Sequence, residues 1–392
     1  MLQPETDPTA TEAEFATLLV SFELSADRWV VTMRQPGGSK LSRYSLAARD
    51  MTKLLSLLTA QREQAARRTG RAVKIVSIYE AGRDGFWLHR WLLAHGVENQ
   101  VVDPASILSP QRRRNAKSDG IDGEKLLRSL AAWLGGERGA CSMVRPPSVA
   151  EEDQRRLSRE RDELVGERTR LSNRINGLLA NQGIAGFRPL QRDAQPALDA
   201  LRTGDGRVLE VHLRTTLERI LQRLALLGQQ IKAVEKQRDA LVKAVPADAA
   251  SGAPSRAAAT MRSLSRLRSI GPEFASVLSL ECFYRTFDNR RQVAAFVGLA
   301  PTPWSSGSVE REQGISKAGN RRLRRTMVEL AWSWTWLQPG SALTQWFRRK
   351  VAGQGGRMRR IAIVALARKL LVALWRYVTD GVVPDGAALK AA

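Results

Sequence analysis

Apolar and polar positions change rhythm three times along the chain. Between residues 15 and 102, short β-branched and aromatic runs alternate with helical spacing. Leu18-Leu19-Val20-Ser21-Phe22 and Trp29-Val30-Val31-Thr32-Met33 read as strands. Residues 41–46, 73–79 and 97–102 supply three more. Leu54, Leu57 and Leu58 predict a helix over 47–68, and 85–95 predicts another. Strand–helix–strand alternation of this length implies an α/β sheet with parallel members.

The second rhythm is a seven-residue one. Leu157, Leu164, Leu171 and Leu178 recur in a charged background; after a break, Leu217, Leu224 and Ile231 repeat the spacing beside Ile220, Leu227, Val234 and Leu241. This predicts two long helices with an a/d-type seam, either folded on each other in one chain or forming a dimer stalk. Residues 247–259 are small and read as a linker. From Met261 to about Asp380 the pattern is mostly helical. Trp332, Trp334 and Trp336 alternate there, a spacing that suits core packing better than base stacking. The short Ala-rich tail reads as disordered.

Charge narrows the partners. The chain has 62 Lys and Arg against 39 Asp and Glu, a formal net charge of +23. Residues 256–376 alone hold 22 bases and 6 acids, a net of +16. Such an excess suits a polyanion. No run of 18 apolar residues and no signal peptide occurs, so no membrane partner and a cytoplasmic, nucleoid-associated location are expected. Two distant cysteines, Cys141 and Cys282, fit neither a disulfide framework nor a zinc module.

Acids fall where chemistry is expected. Asp119 and Asp122, in Ala116-Lys117-Ser118-Asp119-Gly120-Ile121-Asp122, lie three apart at a helix start and share one face. Glu80 ends an apolar strand, and Glu23 lies in the strand Phe22-Glu23-Leu24. Carboxylates gathered at strand ends would hold a divalent metal and serve an in-line phosphoryl displacement. The structural alternative is a turn cap at Glu80 and acids that favour a helix N-terminus.

The C-terminal region offers a second constellation. Ser269-Ile270-Gly271-Pro272 opens a small-residue helix, as in a helix-hairpin-helix or any plain helix start. Further on, Trp304-Ser305-Ser306-Gly307-Ser308 reads as a loop. It precedes Ser316-Lys317-Ala318-Gly319-Asn320-Arg321-Arg322-Leu323-Arg324-Arg325. Lys317, Asn320, Arg321, Arg322, Arg324 and Arg325 could hold phosphates, as could Arg112, Arg113, Arg114 and Lys117 near the acids.

Two strings resemble one known family. Glu23, Glu80 and Lys117-Ser118-Asp119-Gly120-Ile121-Asp122, with Tyr79-Glu80-Ala81-Gly82 and Val101-Val102-Asp103-Pro104, look like the DEDD transposases of bacterial insertion sequences. These form the family numbered one-ten, related to site-specific DNA invertases. Gly298-Leu299-Ala300-Pro301, Ser306-Gly307 and Ser316-Lys317-Ala318-Gly319-Asn320 with Leu323-Arg324 resemble the same family's C-terminal signature. Together they cover residues 15–377.

The resemblance implies an α/β ribonuclease H-like (RuvC-like) N-terminal domain at 15–140. It implies a long helical coiled-coil region at 148–245, a linker at 246–260 and a mostly α transposase domain at 261–380. Glu23, Glu80, Asp119 and Asp122 would bind Mg²⁺ or Mn²⁺. Ser306, with Ser305 as neighbour, would be the covalent nucleophile, giving a 5′-phosphoserine linkage in a site shared between protomers of a dimer or tetramer. DNA and a structured guide RNA would be its partners. Glu23 departs from the family's Asp, and its extra methylene moves the carboxylate in a geometry-sensitive site. Two alternatives follow: a junction nuclease without a covalent intermediate, and an impaired nucleic-acid-binding relative.

Overall fold

The computed structural model describes residues 15–82, 84–107, 119–243, 256–306 and 309–390, and the chain divides into two compact units after Pro147. Arg112, Arg113, Arg114 and Lys117 lie outside the described residues.

In the first unit, β1 (Ala16–Leu24), β2 (Arg28–Arg34), β3 (Leu41–Ala47), β4 (Val73–Glu80) and β5 (Glu98–Val102) form one sheet in the order β3-β2-β1-β4-β5. The β1–β2 and β2–β3 pairs are antiparallel; β1–β4 and β4–β5 are parallel. This mixed sheet is compatible with the ribonuclease H-like expectation. Between β3 and β4 runs α1 (Met51–Thr69), whose start is fixed by the Asp50 carboxylate accepting from the Lys53 backbone N–H at 3.0 Å. The next helix, α2 (Trp87–Ala94), follows β4.

Alternation along the strands gives each face its own cover. Leu18, Val20 and Phe22 pack with Leu54 and Leu58 of α1 and Leu88 and Leu92 of α2. On the opposite face, Leu19, Val76, Ile78 and Val102 pack with Leu126, Leu127 and Leu130 of α3 (Asp119–Leu134). Burying each such side chain stabilises by about 1.5–3 kcal/mol. The same alternation sets Ser21 and Glu23 of β1, and Glu80 of β4, on the α3 side.

The second unit begins with α4 (Val149–Ala180), started by a capping box between Ser148 and Glu151. After the short α5 (Ala194–Asp199), α6 (Val211–Lys243) returns antiparallel to α4. Ile175 and Leu179 near the end of α4 cluster with Leu217 and Ile220 near the start of α6, and Arg161 near the start of α4 pairs with Glu235 near the end of α6 at 2.7 Å. The two helices therefore fold on each other within one chain. The α6 seam is buried at Leu217, Ile220, Leu224, Leu227, Ile231 and Val234. The α4 leucines, Leu157, Leu164, Leu171 and Leu178, are only partly covered. A supercoiled dimer stalk is not established by this packing, and the coiled-coil expectation is reduced to a helical hairpin.

The rest of the unit is mostly helical: α7 (Arg256–Ser265), α8 (Pro272–Val277), a π-helical turn at Leu278–Cys282, α9 (Arg290–Val297), α10 (Arg321–Leu337), α11 (Ala342–Val351) and α12 (Gly356–Asp380). Its core joins Leu323, Met327, Leu330 and Trp334 of α10 to Leu366, Leu370, Leu371 and Leu374 of α12. One β-hairpin interrupts the helices, formed by β6 (Pro301–Ser306) and β7 (Val309–Ile315). Contrary to expectation, the tail is ordered as far as Lys390. Ala388 exchanges two hydrogen bonds with the Gln338 side chain, at 2.9 and 2.7 Å, and Leu389 bridges to Leu267. Those bonds satisfy backbone groups that composition alone leaves unassigned.

Candidate active site

The first unit holds an acidic cleft of about 480 Å³. Glu23, Glu80 and Asp122 all line it, together with Asp27, Asp84 and Arg28. Parallel pairing produces this convergence. Phe22 on β1 is opposite Tyr79 on β4, so Glu23 and Glu80 each stand one residue further, at the C-terminal ends of adjacent strands.

The first turns of α3 bring in Asp122. The Ser21 hydroxyl donates to the Gly123 carbonyl at 2.9 Å, tying the helix to β1. Gly123 is buried, and no larger residue fits its place. A Cβ there would stand 2.5 Å from Thr32 Oγ1 and 3.3 Å from Glu23 Oε1. The helix backbone thus approaches β1 and β2 closely enough to bring Asp122 to the same cleft as the strand-end acids. Asp119 opens the same helix.

Arg28 lines the cleft, and cations beside it pair with its acids. Lys125 pairs with Asp122 at 2.8 Å, and Arg49 reaches Asp84 at 3.8 Å. Among the described residues, no three carboxylates stand close enough together to enclose a metal ion. The donor set nevertheless suits a hard divalent ion, because it consists of carboxylate oxygens from three segments. Asp27 and Asp84 were not anticipated from the sequence. They lie in turns, where no periodicity flags them; the nearness of Asp84 to the end of β4 is the one available signal.

The second constellation is built differently. Ser305 and Ser306 were expected in a loop. They instead end β6, opposite Glu310 and Val309 of β7. The segment after β7 is clamped to the end of α9. Ser316 N–H donates to Ala300 O at 2.8 Å, Lys317 N–H to Gly298 O at 3.2 Å and Asn320 N–H to Phe296 O at 2.9 Å. Gly298 and Gly319 are left-handed, with φ of 72° and 88°, and a Cβ on either would run into a carbonyl oxygen, that of Ala318 or of Phe296. These contacts explain Gly298 and Gly319 of the signature as packing requirements.

The basic residues that follow face several ways. The Asn320 side chain caps α10 by accepting from Leu323 N–H at 3.1 Å. Arg324 donates to the carbonyls of Lys317 and Val297 at 2.9 and 3.3 Å. Arg322 turns inward, donating to Asp162 at 2.8 Å, Glu281 at 2.8 Å and the Ser158 carbonyl at 2.8 Å. Arg325 also reaches Asp162, at 2.6 Å. Lys317 and Arg321 are exposed.

Arg322 belongs to a network that joins α4, α6, α8, the π-helical turn and α10. Glu281 is only 4% exposed and also accepts from Arg159 at 2.9 Å. Burial pushes its carboxyl up, but Arg159 and Arg322 outweigh burial and hold it below the ordinary glutamate range. For Glu273, burial wins over Arg161, Arg238 and Arg322, and its carboxyl lies above that range.

These two constellations define a protein with an acidic cleft in an α/β unit and a second, helical and basic unit. Comparison with known proteins gives the family. The model of the Transposase IS116/IS110/IS902 family matches residues 261–346, and that of the DEDD transposases of the IS110 group matches 24–182. A putative transposase, y4rJ, of Sinorhizobium fredii is 51% identical over 98% of this chain and 97% of that protein. The transposase for insertion sequence element IS1111A of Coxiella burnetii is 26% identical over 65% of this chain and 64% of its own length. The uncharacterized 43.6 kDa protein of insertion element IS110 in Streptomyces coelicolor is 29% identical over 56% and 61%. The chain belongs to the IS110 family of transposases. Among the described residues no helix is long and apolar enough to cross a membrane.

Proposed function

We propose that this chain cuts and rejoins DNA strands to move an insertion sequence, using the acidic cleft and Ser306. The observation that carries the reading is the convergence of Glu23, Glu80 and Asp122 on one cleft at the strand ends. Those three, with Asp119 at the start of the same helix, would hold Mg²⁺ or Mn²⁺. A divalent ion there would polarise a phosphodiester and stabilise the charge of the leaving oxygen. The chain's own part is to keep the carboxylates aligned, through the Ser21–Gly123 hydrogen bond and the close packing at Gly123.

In the covalent step, the Ser306 hydroxyl loses its proton and its oxygen bonds to phosphorus. The bond from that phosphorus to the 3′ oxygen breaks, and the released 3′ hydroxyl takes up a proton. A 5′-phosphoserine linkage results, and attack by a 3′ hydroxyl reverses the step on a new partner strand. Exposed Lys317 and Arg321 suit phosphate contacts beyond the reacting bond. Arg322 and Arg324 would act by fixing α10 and the segment before it. The excess of +23 suits DNA together with a structured guide RNA, in a homo-oligomeric assembly.

The test uses purified full-length protein, the non-coding RNA flanking its gene, and supercoiled DNA carrying the element junction, with Mg²⁺. Denaturing gels before and after protease digestion detect a protein–DNA adduct. Wild type should form one, and Ser306→Ala, Asp119→Ala and Asp122→Ala should each lose it. Cleavage that survives Ser306→Ala without an adduct would establish a junction nuclease instead. Absent cleavage that Glu23→Asp restores would locate a defect at the first acid.

A further inference from the structure

Trp336 stands apart from the other tryptophans of α10. Trp334 is fully buried and donates to Ser341 Oγ at 3.2 Å, while Trp332 packs edge-on against Phe347. Trp336 is 75% exposed, beside Leu337 at 53%. An indole so exposed leaves its apolar faces in water, where a stacked partner would cover them.

Its surroundings form a cleft of about 640 Å³, lined also by Arg268, Ser269, Gly271 and Lys390. Arg268 is exposed, and among the described residues no carboxylate lines this cleft. Lys390 donates one of its protons to Ile270 O at 2.8 Å, which leaves two for another acceptor. Ser269 has a left-handed φ of 40°, a conformation that costs a serine free energy. The residue is 7% exposed, and its hydroxyl oxygen is buried with no hydrogen-bond partner among the described residues. The cleft thus offers a flat aromatic surface and two cations.

We infer that this cleft binds an unpaired nucleotide of a single-stranded nucleic acid, its base stacked on Trp336 and its phosphate held by Arg268 and Lys390. Positive charge without acids selects a polyanion over an apolar protein surface, and an exposed indole selects an unstacked base over a duplex. The inference rests on the nucleic-acid role proposed above, but it uses none of that reaction's residues.

The experiment measures binding of the full-length protein to fluorescein-labelled oligodeoxythymidine of about a dozen nucleotides, to an abasic oligomer of the same length and to a duplex. An oligoribouridine arm separates RNA from DNA as the source of the strand. Trp336→Ala should weaken single-strand binding about tenfold, within the range for one stacked base. It should leave duplex binding and melting temperature unchanged. Trp336→Phe should recover most of the loss. The abasic oligomer should bind wild type and Trp336→Ala alike. Arg268→Ala should reduce the slope of log affinity against log salt by about 0.7, the value for one single-strand phosphate.

Unchanged single-strand affinity in Trp336→Ala would overturn the proposal. So would an equal loss on the abasic oligomer. A fall in oligomeric state with single-strand affinity intact would assign the face to a second copy of the chain. Asp122→Ala separates the two readings: it should abolish strand cleavage and leave single-strand affinity untouched. If wild type cleaves nothing yet Trp336→Ala still loses affinity, the cleft stands and the transposase mechanism falls.

Discussion

The acids of the first unit and those of the second are held in opposite ways. Glu23, Glu80 and Asp122 are brought together by backbone geometry, through parallel strand ends and a helix docked at a glycine, and they line an open cleft. Asp162, Glu273 and Glu281 are brought together by arginines among packed helices, Glu281 buried and the other two partly so, with Arg322 touching all three. In the first case the fold keeps like charges near one another and reachable from solvent. In the second, each charge is spent on an opposite one. A carboxylate cluster is therefore a functional candidate when the backbone, rather than a salt bridge, explains its position. The same contrast applies to cations: Arg322 stabilises the fold, while Arg321 next to it is exposed.

The sharpest way to break this comparison is to remove the shared arginine. Arg322→Ala should destabilise the protein by about 3–5 kcal/mol, because Glu281 would lose one of its two guanidinium partners while staying buried. Thermal denaturation reads this directly. A loss below about 1 kcal/mol, the size of an exposed pair, would show the network to be solvated. Asp122→Ala should do the reverse: strand cleavage should fall by about 10²–10³-fold, as when one charge-stabilising group is removed from a reaction centre. Its melting temperature should barely move, since Asp122 is partly exposed and its partner Lys125 is partly exposed too. A large stability loss with normal cleavage would reverse the assignment.

Much of this contrast was legible in the residue pattern, and the rest fails for specific reasons. The five strands were legible because β-branched runs alternate with helical spacing, and β4 ends on Glu80 as its apolar run does. The helix that begins at Asp119 and carries Asp122 was legible as well. The β6–β7 hairpin was not legible. Pro301 and Pro303 remove donors from one strand, and Val309-Glu310-Arg311-Glu312-Gln313-Gly314 is too polar to read as its partner. The inward turn of Arg322 was hidden because Asp162 is 160 residues away and Glu281 41. Arg324 was read as a phosphate ligand for its charge alone, whereas the left-handed Lys317 and the end of α9 present it with carbonyls. Gly123 passed unnoticed, since a glycine inside a helix announces a close approach only once its neighbour is known.

Gly123 sharpens the comparison at the next scale down. Gly123→Ala places a methyl group against Thr32 and Glu23. Over-packing of this kind costs about 1–3 kcal/mol. Cleavage should fall by more than the stability loss explains, because relief of the clash moves α3, and with it Asp122, away from Glu23. Pairing Gly123→Ala with Thr32→Ser, which removes one methyl but keeps the hydroxyl, should leave the defect. Pairing it with Thr32→Ala should restore part of both properties. Full activity in Gly123→Ala alone would mean that the helix does not position the acid.

The smallest expected effect lies in the pH dependence of the arginine-held acids. Glu281 has a depressed carboxyl pKa in the folded state, so its contribution is fully present above about 4.3, the unfolded value. It is lost as pH falls through the folded value below that. Glu273 has a raised pKa, so its contribution is present below about 4.3 and is lost as pH rises through the folded value. The two glutamates therefore pull stability in opposite directions on acidification. Urea unfolding from pH 6 down to 3 should show the stability gap between wild type and Glu281→Gln narrowing by about 1 kcal/mol. Glu273→Gln should lose its advantage over wild type across the same range, because protonated Glu273 resembles the amide. Parallel curves for both variants would mean that the arginines do not discriminate between these acids. Their burial would then be a matter of packing alone, and the closed cluster would differ from the open cleft in access to solvent but not in charge.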